Sequence, residues 1–109
     1  MIILGLKSCD TCRKARRALE AAGHTVTLRD VREAPLTQAE RGQLLDRFGA
    51  AKLINRSSAT WRALSDAERA ADADALLAAH PALMKRPVID DGAQWHLGWG
   101  APVRAALEV

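Results

Sequence analysis

Met1-Ile2-Ile3-Leu4-Gly5-Leu6-Lys7-Ser8-Cys9-Asp10-Thr11-Cys12-Arg13-Lys14-Ala15-Arg16-Arg17-Ala18-Leu19-Glu20-Ala21-Ala22-Gly23 divides into two parts of different period. Met1 to Leu6 is a short apolar run rich in Ile and Leu, which suits a strand buried on both faces of a sheet. From Asp10 to Ala22 the apolar Ala15, Ala18, Leu19 and Ala22 recur at helical spacing, with Arg13, Lys14, Arg16, Arg17 and Glu20 between them. Gly23 is the expected stop. Thr25 to Arg29 then alternates, Val26 and Leu28 on one face and Thr25, Thr27 and Arg29 on the other, as a half-buried strand does. Together these form a β-α-β unit, whose length of roughly 30 residues suits a right-handed crossover between parallel neighbours.

Downstream, Thr37 with Glu40 three residues later is a capping-box signature, followed by Leu44, Leu45 and Phe48 on a helical stripe and by Gly49 as terminator. Residues Asn55 to Pro81 are mostly helix formers, with Ser65 and Glu68 as a second capping box. Two or three short helices anchored by Leu76 and Leu77 are expected there. Val88-Ile89 and Trp95-His96-Leu97 flank Asp90-Asp91-Gly92-Ala93, whose Asp-Gly step predicts an antiparallel hairpin. Val103, Ala106 and Leu107 suggest a closing helix. The order β-α-β, helical insertion over about residues 37–80, β-β-α predicts an α/β protein of thioredoxin-like fold with a four-stranded mixed sheet.

With 109 residues the chain fits one domain spanning 1–109, and 49% hydrophobic with 27% charged residues is close to globular averages. No apolar run approaches the roughly 20 residues of a membrane span, so no membrane partner is expected. A net charge of +3 favours anionic partners without compelling direct nucleic-acid binding. Two cysteines are too few for a secreted disulfide framework, and Met1 to Leu6 lacks the basic flank and cleavage site of a signal peptide. The cytoplasm is the expected compartment.

Cys9-Asp10-Thr11-Cys12 falls where the strand gives way to the helix, the context that makes this spacing a redox motif. Cys9 at the first turn faces unpaired N–H groups and the positive end of the helix dipole, which favour thiolate over thiol. Cys12 follows on the same side one turn later, within reach of a disulfide. Cys9 is therefore the expected attacking sulfur and Cys12 the resolving one; two inert buried thiols are the alternative. Lys7, Arg13, Lys14, Arg16 and Arg17 crowd a helix end that ordinarily prefers anions, at a cost of about 0.3–1 kcal/mol each. A thiolate or an anionic substrate beside them would compensate, whereas a solvated basic face is the plainer account. Structural zinc needs four ligands, and only two thiols and the scattered His24, His80 and His96 are available, so no metal is expected.

Three further segments, Leu53-Ile54-Asn55-Arg56, Thr60-Trp61-Arg62 and His80-Pro81-Ala82-Leu83-Met84-Lys85-Arg86-Pro87-Val88, accompany the cysteine motif in order. In these the chain resembles the arsenate reductase-like (ArsC) family, a branch of the thioredoxin superfamily, over nearly its whole length. It is most similar to the small bacterial YffB-type proteins linked to glutathione-dependent thiol reduction, and more distantly to the Spx transcription regulators. The resemblance implies that Cys9 is the catalytic cysteine, that Arg56 and Arg86 face an oxyanion or glutathione, and that Pro87 is a cis-proline beside the site. Arginine's planar fork of donors suits carboxylates and oxyanions, though Arg56 and Arg86 would serve equally as structural ion pairs or carbonyl caps. Arsenate reductases of this branch carry a further arginine near the end of the last hairpin, where this chain reads Trp95-His96-Leu97-Gly98-Trp99, and they lack a cysteine at the place of Cys12.

The expected activity is thiol-disulfide oxidoreduction with no bound cofactor, glutathione acting as reductant or co-substrate, alone or through glutaredoxin. NADPH would supply the electrons through a separate reductase. The alternatives are glutathione-dependent arsenate reduction and an Spx-like redox switch that contacts RNA polymerase. Trp61 and Trp95 are expected to pack, with Phe48 the remaining large aromatic besides Trp99. His80 before Pro81 is expected to end the inserted helix.

Overall fold

The computed structural model describes residues Met1–Val109, and the chain divides into two compact units, Met1–Val31 with Arg86–Val109, and Arg32–Lys85.

The first unit is a four-stranded mixed sheet in the order β2-β1-β3-β4. Strand β1 (Ile2–Gly5) pairs in parallel with β2 (Thr27–Asp30), register Ile3 to Leu28, and antiparallel with β3 (Val88–Asp90), register Ile3 to Ile89. The hairpin partner β4 (Trp95–Leu97) sets Ile89 opposite His96. Helix α1 (Asp10–Ala21) is the crossover between β1 and β2, and a last helix closes the unit at Ala101–Ala106. The α/β order is the one the sequence predicts, and the sheet is the four-stranded mixed one.

Periodicity explains which side chains go inside. Cys12, Ala15 and Leu19 fall on one stripe of α1 and are fully buried; with Ile3, Val26, Ile89 and Leu107 they make one apolar cluster, against which Trp99 and Val103 also pack. Each large aliphatic side chain there contributes about 1.5–3 kcal/mol by burial.

Two strand ends differ from expectation. Ile2 is the one large hydrophobic residue left exposed, so β1 is sealed only from Ile3 onward. Strand β2 starts at Thr27 rather than Thr25, because the Thr27 N–H is the first to reach β1, donating to the Met1 carbonyl at 3.0 Å, while the Thr25 carbonyl accepts from the chain's amino terminus at 3.2 Å.

The second unit is helical. Helix α2 (Gln38–Phe48) opens with the predicted capping box, Thr37 accepting from the Glu40 N–H at 3.1 Å and Glu40 accepting from the Thr37 N–H at 2.8 Å. Gly49 ends α2 with φ +82°, a conformation open to glycine, and the chain at once starts α3 (Ala50–Leu53). That helix has no polar cap of its own and lies outside the helices the sequence predicts. Helices α4 (Ala59–Arg62), α5 (Asp66–Arg69) and α6 (Ala73–Ala79) follow, each opened by a side chain that accepts from a first-turn N–H: Ser58, Ser65 and Asp72. His80 ends α6 as expected, and a single 3₁₀ turn, Pro81–Leu83, comes next. The Asn55 N–H donates to Leu83 and the Lys85 N–H to Leu53, around an isolated bridge between Ile54 and Met84. Leu44, Leu53, Ile54, Leu76, Leu77, Leu83 and Met84 are buried. Arg41, its side chain only 15% exposed, donates to Asp74 at 2.6 Å and to the Leu36 carbonyl at 2.8 Å, tying α2 to α6. The last helix of the first unit, Ala101–Ala106, is α7.

Candidate active site

The β1–α1 junction puts Cys9 immediately before the helix. Its backbone is extended, its N–H donates to the Leu6 carbonyl at 3.0 Å, and its carbonyl accepts from the Arg13 N–H at 3.1 Å. The first-turn N–H groups of α1 have no intrahelical acceptor, so one of them is available to the sulfur. Burial alone would push the Cys9 thiol up, but the Cys12 N–H, the Cys12 thiol and the Arg86 guanidinium each interact with its sulfur and together hold it below its ordinary value of 9.0. Cys12 is the opposite case. Fully buried, it is pushed up to about 12 by desolvation, with the Leu6 backbone opposing and the neighbouring Cys9 adding to the rise. Both cysteines are free thiols.

Gly5 makes room for this arrangement. A β carbon at Gly5 would stand 2.5 Å from Cys12 Sγ, closer than such contacts allow, so the buried thiol occupies space that only glycine leaves. This requirement was not recognised in the sequence, where Gly5 reads as one residue of an apolar strand.

Arg86 and Pro87 precede β3, and the bond between them is cis. Pro87 is buried, and its carbonyl accepts from the Gly98 N–H at 2.8 Å. Within the first unit the fold therefore gathers Cys9, Cys12, Arg86 and Pro87. Lys7 lies in the β1–α1 connection, where its N–H donates to Asp30 at 2.9 Å. Arg56 belongs to the second unit, its guanidinium 5.4 Å from the Trp61 ring; Arg69 lies 5.7 Å from the same ring. Trp61 and Trp95 are only half-buried, and it is Trp99 that packs on the sheet core, with Arg104 at 5.8 Å from its ring.

The charges nearest the thiols also differ from the sequence picture. Lys7 and the run from Arg13 to Arg17 were expected to favour the thiolate, yet the cation that acts on Cys9 is Arg86. Arg13, Lys14 and Arg17 act instead on Asp10, whose carboxyl they hold below its usual range, Arg13 through a direct ion pair. Asp91 pairs with His96 at 2.8 Å across the β3–β4 turn, a contact that the Asp-Gly step does not announce. No three His, Cys, Asp or Glu side chains converge into a metal-binding group.

A mixed sheet in the order β2-β1-β3-β4, with Cys-x-x-Cys at the start of its first helix and a cis-proline before β3, defines a thioredoxin-like α/β protein. The ArsC family model matches residues 4–102, and the chain belongs to that family. An uncharacterized protein of Haemophilus influenzae is 36% identical over 93 residues, 80% of each chain. Among solved structures, a YFFB protein superposes with a TM-score of 0.88 at 27% identity, covering 97% of this chain and 96% of that one. An arsenate reductase (ArsC) related protein from Brucella melitensis gives 0.76 at 31% identity, covering 99% and 94%. Family and fold together support a thiol-based redox function. No helix is long and apolar enough to cross a membrane.

Proposed function

We propose that the protein is a thiol-disulfide oxidoreductase in which Cys9 attacks and Cys12 resolves. The observation that carries this is the contrast between two sulfurs one helical turn apart: Cys9 is lowered by donors and by Arg86, while Cys12 is kept protonated by burial. The Cys9 thiolate attacks one sulfur of a disulfide, forms a mixed disulfide and expels the other half as a thiolate. Cys12 then loses its proton to that leaving thiolate or to water and attacks Cys9 sulfur. The second thiolate departs, a Cys9–Cys12 disulfide forms, and two electrons have passed to the substrate. Two molecules of a small thiol such as glutathione reverse the oxidation, becoming a disulfide themselves. Cys12 is a poor nucleophile until the mixed disulfide forms and removes the neighbouring Cys9 charge that raises it. Attack and resolution are thereby ordered.

Mass spectrometry of trapped intermediates tests the roles. Cys9→Ser should form no glutathione adduct, Cys12→Ser should accumulate one, and equal labelling of the two variants contradicts the assignment.

Arsenate is the second candidate oxidant, favoured by the family match and by the arsenate reductase (ArsC) related protein of Brucella melitensis. Arsenate-dependent NADPH consumption in the presence of glutathione, glutaredoxin and glutathione reductase tests it; no consumption above the arsenate-free control removes arsenate from the substrates.

A further inference from the structure

A cleft of about 350 Å³ opens on the first unit, lined by Lys7, Arg13, Arg16, Arg17 and Leu28. That volume is at the small end of ligand sites, which run from about 300 to 1,000 Å³. Every charged residue of the lining is a cation. Arg13, Arg16 and Arg17 are three and four positions apart and so share one face of α1, separate from the Cys12, Ala15 and Leu19 stripe that enters the core. Leu28 of β2 adds the one apolar wall.

Carboxylates nearby only partly balance this charge. Asp10 pairs with Arg13, Glu20 with Arg16 at 3.2 Å, and Asp30 accepts from the Lys7 N–H, but none of the three lines the cleft. The Arg13 and Arg16 side chains stay about half exposed. Lys7 and Arg13 lie close enough to the start of α1 to oppose its dipole, and an anion seated beside them reverses that cost. Two residues of the lining flank Cys9 in the chain, Lys7 two positions before it and Arg13 four after it, where the Arg13 N–H is bonded to the Cys9 carbonyl at 3.1 Å.

We propose that this cleft seats the carboxylate-bearing half of the disulfide substrate while Cys9 attacks its sulfur. This rests on Cys9 being the attacking thiolate, and it adds the substrate class: disulfides in which one half carries at least two carboxylates on a stem that includes methylene groups. Guanidinium forks grip the carboxylates, and Leu28 meets the stem. A neutral disulfide of similar size gains nothing from the cleft.

The test compares the pre-reduced wild type with the double variant Arg16→Gln/Arg17→Gln in a single turnover, Cys9 and Cys12 supplying the two electrons. The substrates are glutathione disulfide, which carries two carboxylates in each half, and bis(2-hydroxyethyl) disulfide, which is uncharged. Two lost charge-assisted contacts should lower the second-order rate constant for glutathione disulfide at least about tenfold and change that for the neutral substrate less than about twofold. The loss should shrink as salt rises. A second measurement is independent of turnover: calorimetry of glutathione disulfide binding to Cys9→Ser/Cys12→Ser protein, with and without the two glutamines, should show Kd weakened about tenfold by them. If the wild type reduces neither disulfide, the thiol assignment fails and calorimetry alone decides the cleft. Equal kinetic loss on both substrates, absence of calorimetric binding, or a Kd the glutamines leave unchanged overturns the proposal.

Discussion

At the scale of single residues, the site depends on one sulfur having several partners and another having almost no solvent. The Arg86 guanidinium lowers Cys9 both by hydrogen bond and by charge, so Arg86→Gln should move the midpoint of the Cys9 alkylation-rate profile to higher pH. At neutral pH the alkylation rate should fall, because less thiolate is present. Iodoacetamide kinetics across pH checks this on Cys12→Ser protein, which isolates Cys9; an unmoved midpoint would deny Arg86 the role. Gly5 gives a second test. A methyl group at that position would meet Cys12 Sγ at 2.5 Å, so Gly5→Ala should destabilise the protein by about 1–3 kcal/mol, as overpacked cores generally do. Gly5→Ala/Cys12→Ala, which removes the sulfur, should recover most of that loss. Denaturant unfolding of the wild type, the two single variants and the double variant gives the coupling directly. The cysteine spacing was plain in the sequence. Arg86 and Gly5 were harder to place because their importance lies in contacts with residues that the chain brings near only after folding.

At the scale of elements, local chemistry decides where helices begin and how the hairpin turns. Thr37 with Glu40 and Ser65 with Glu68 are legible because the residues that satisfy the first N–H groups sit three positions apart in sequence. Helix α3 lacks such a mark; Gly49 reads in the sequence as the end of α2, and the new helix that starts there depends on burial of Leu53, which has no local signature. The β3–β4 turn shows the same division. Asp-Gly predicted the hairpin, but not that Asp91 also accepts from the Ala93 and Gln94 N–H groups and from His96. These donors, His96 first, hold the Asp91 carboxyl at about 2. Because the folded value is below the unfolded one of about 3.9, the ionised carboxylate stabilises the fold above that unfolded value. The contribution is lost as pH falls from about 4 toward the folded value. Asp91→Asn should therefore lower stability by about 1 kcal/mol at pH 7. Chemical denaturation at pH 7, 4, 3 and 2 should find the gap between wild type and variant closing through the acid range; a gap constant with pH would exclude the carboxylate as its source.

At the scale of the whole molecule, the element order could be read because each segment carries its own period. The helical insertion expected over about residues 37–80 falls inside the second unit, Arg32–Lys85, while Met1–Val31 and Arg86–Val109 form the first. The four residues closest to the proposed chemistry, Cys9, Cys12, Arg86 and Pro87, all belong to the first unit, whereas the half-buried pair of Arg41 with Asp74 belongs to the second. Removing the Asp74 charge leaves the Arg41 guanidinium, only 15% exposed, without its carboxylate. Asp74→Asn should thus cost about 2 kcal/mol, the size of a charge-assisted hydrogen bond in a partly dry setting. Its effect on hydrogen exchange should be largest in Gln38–Phe48 and Ala73–Ala79, the helices that Arg41 and Asp74 join. The Cys9 alkylation profile should stay where it is in the wild type, because burial raises its pKa and the Cys12 and Arg86 groups that lower it both belong to the first unit. A shifted Cys9 midpoint in a variant that is still folded would mean that the acidity of this sulfur depends on charges beyond those two partners.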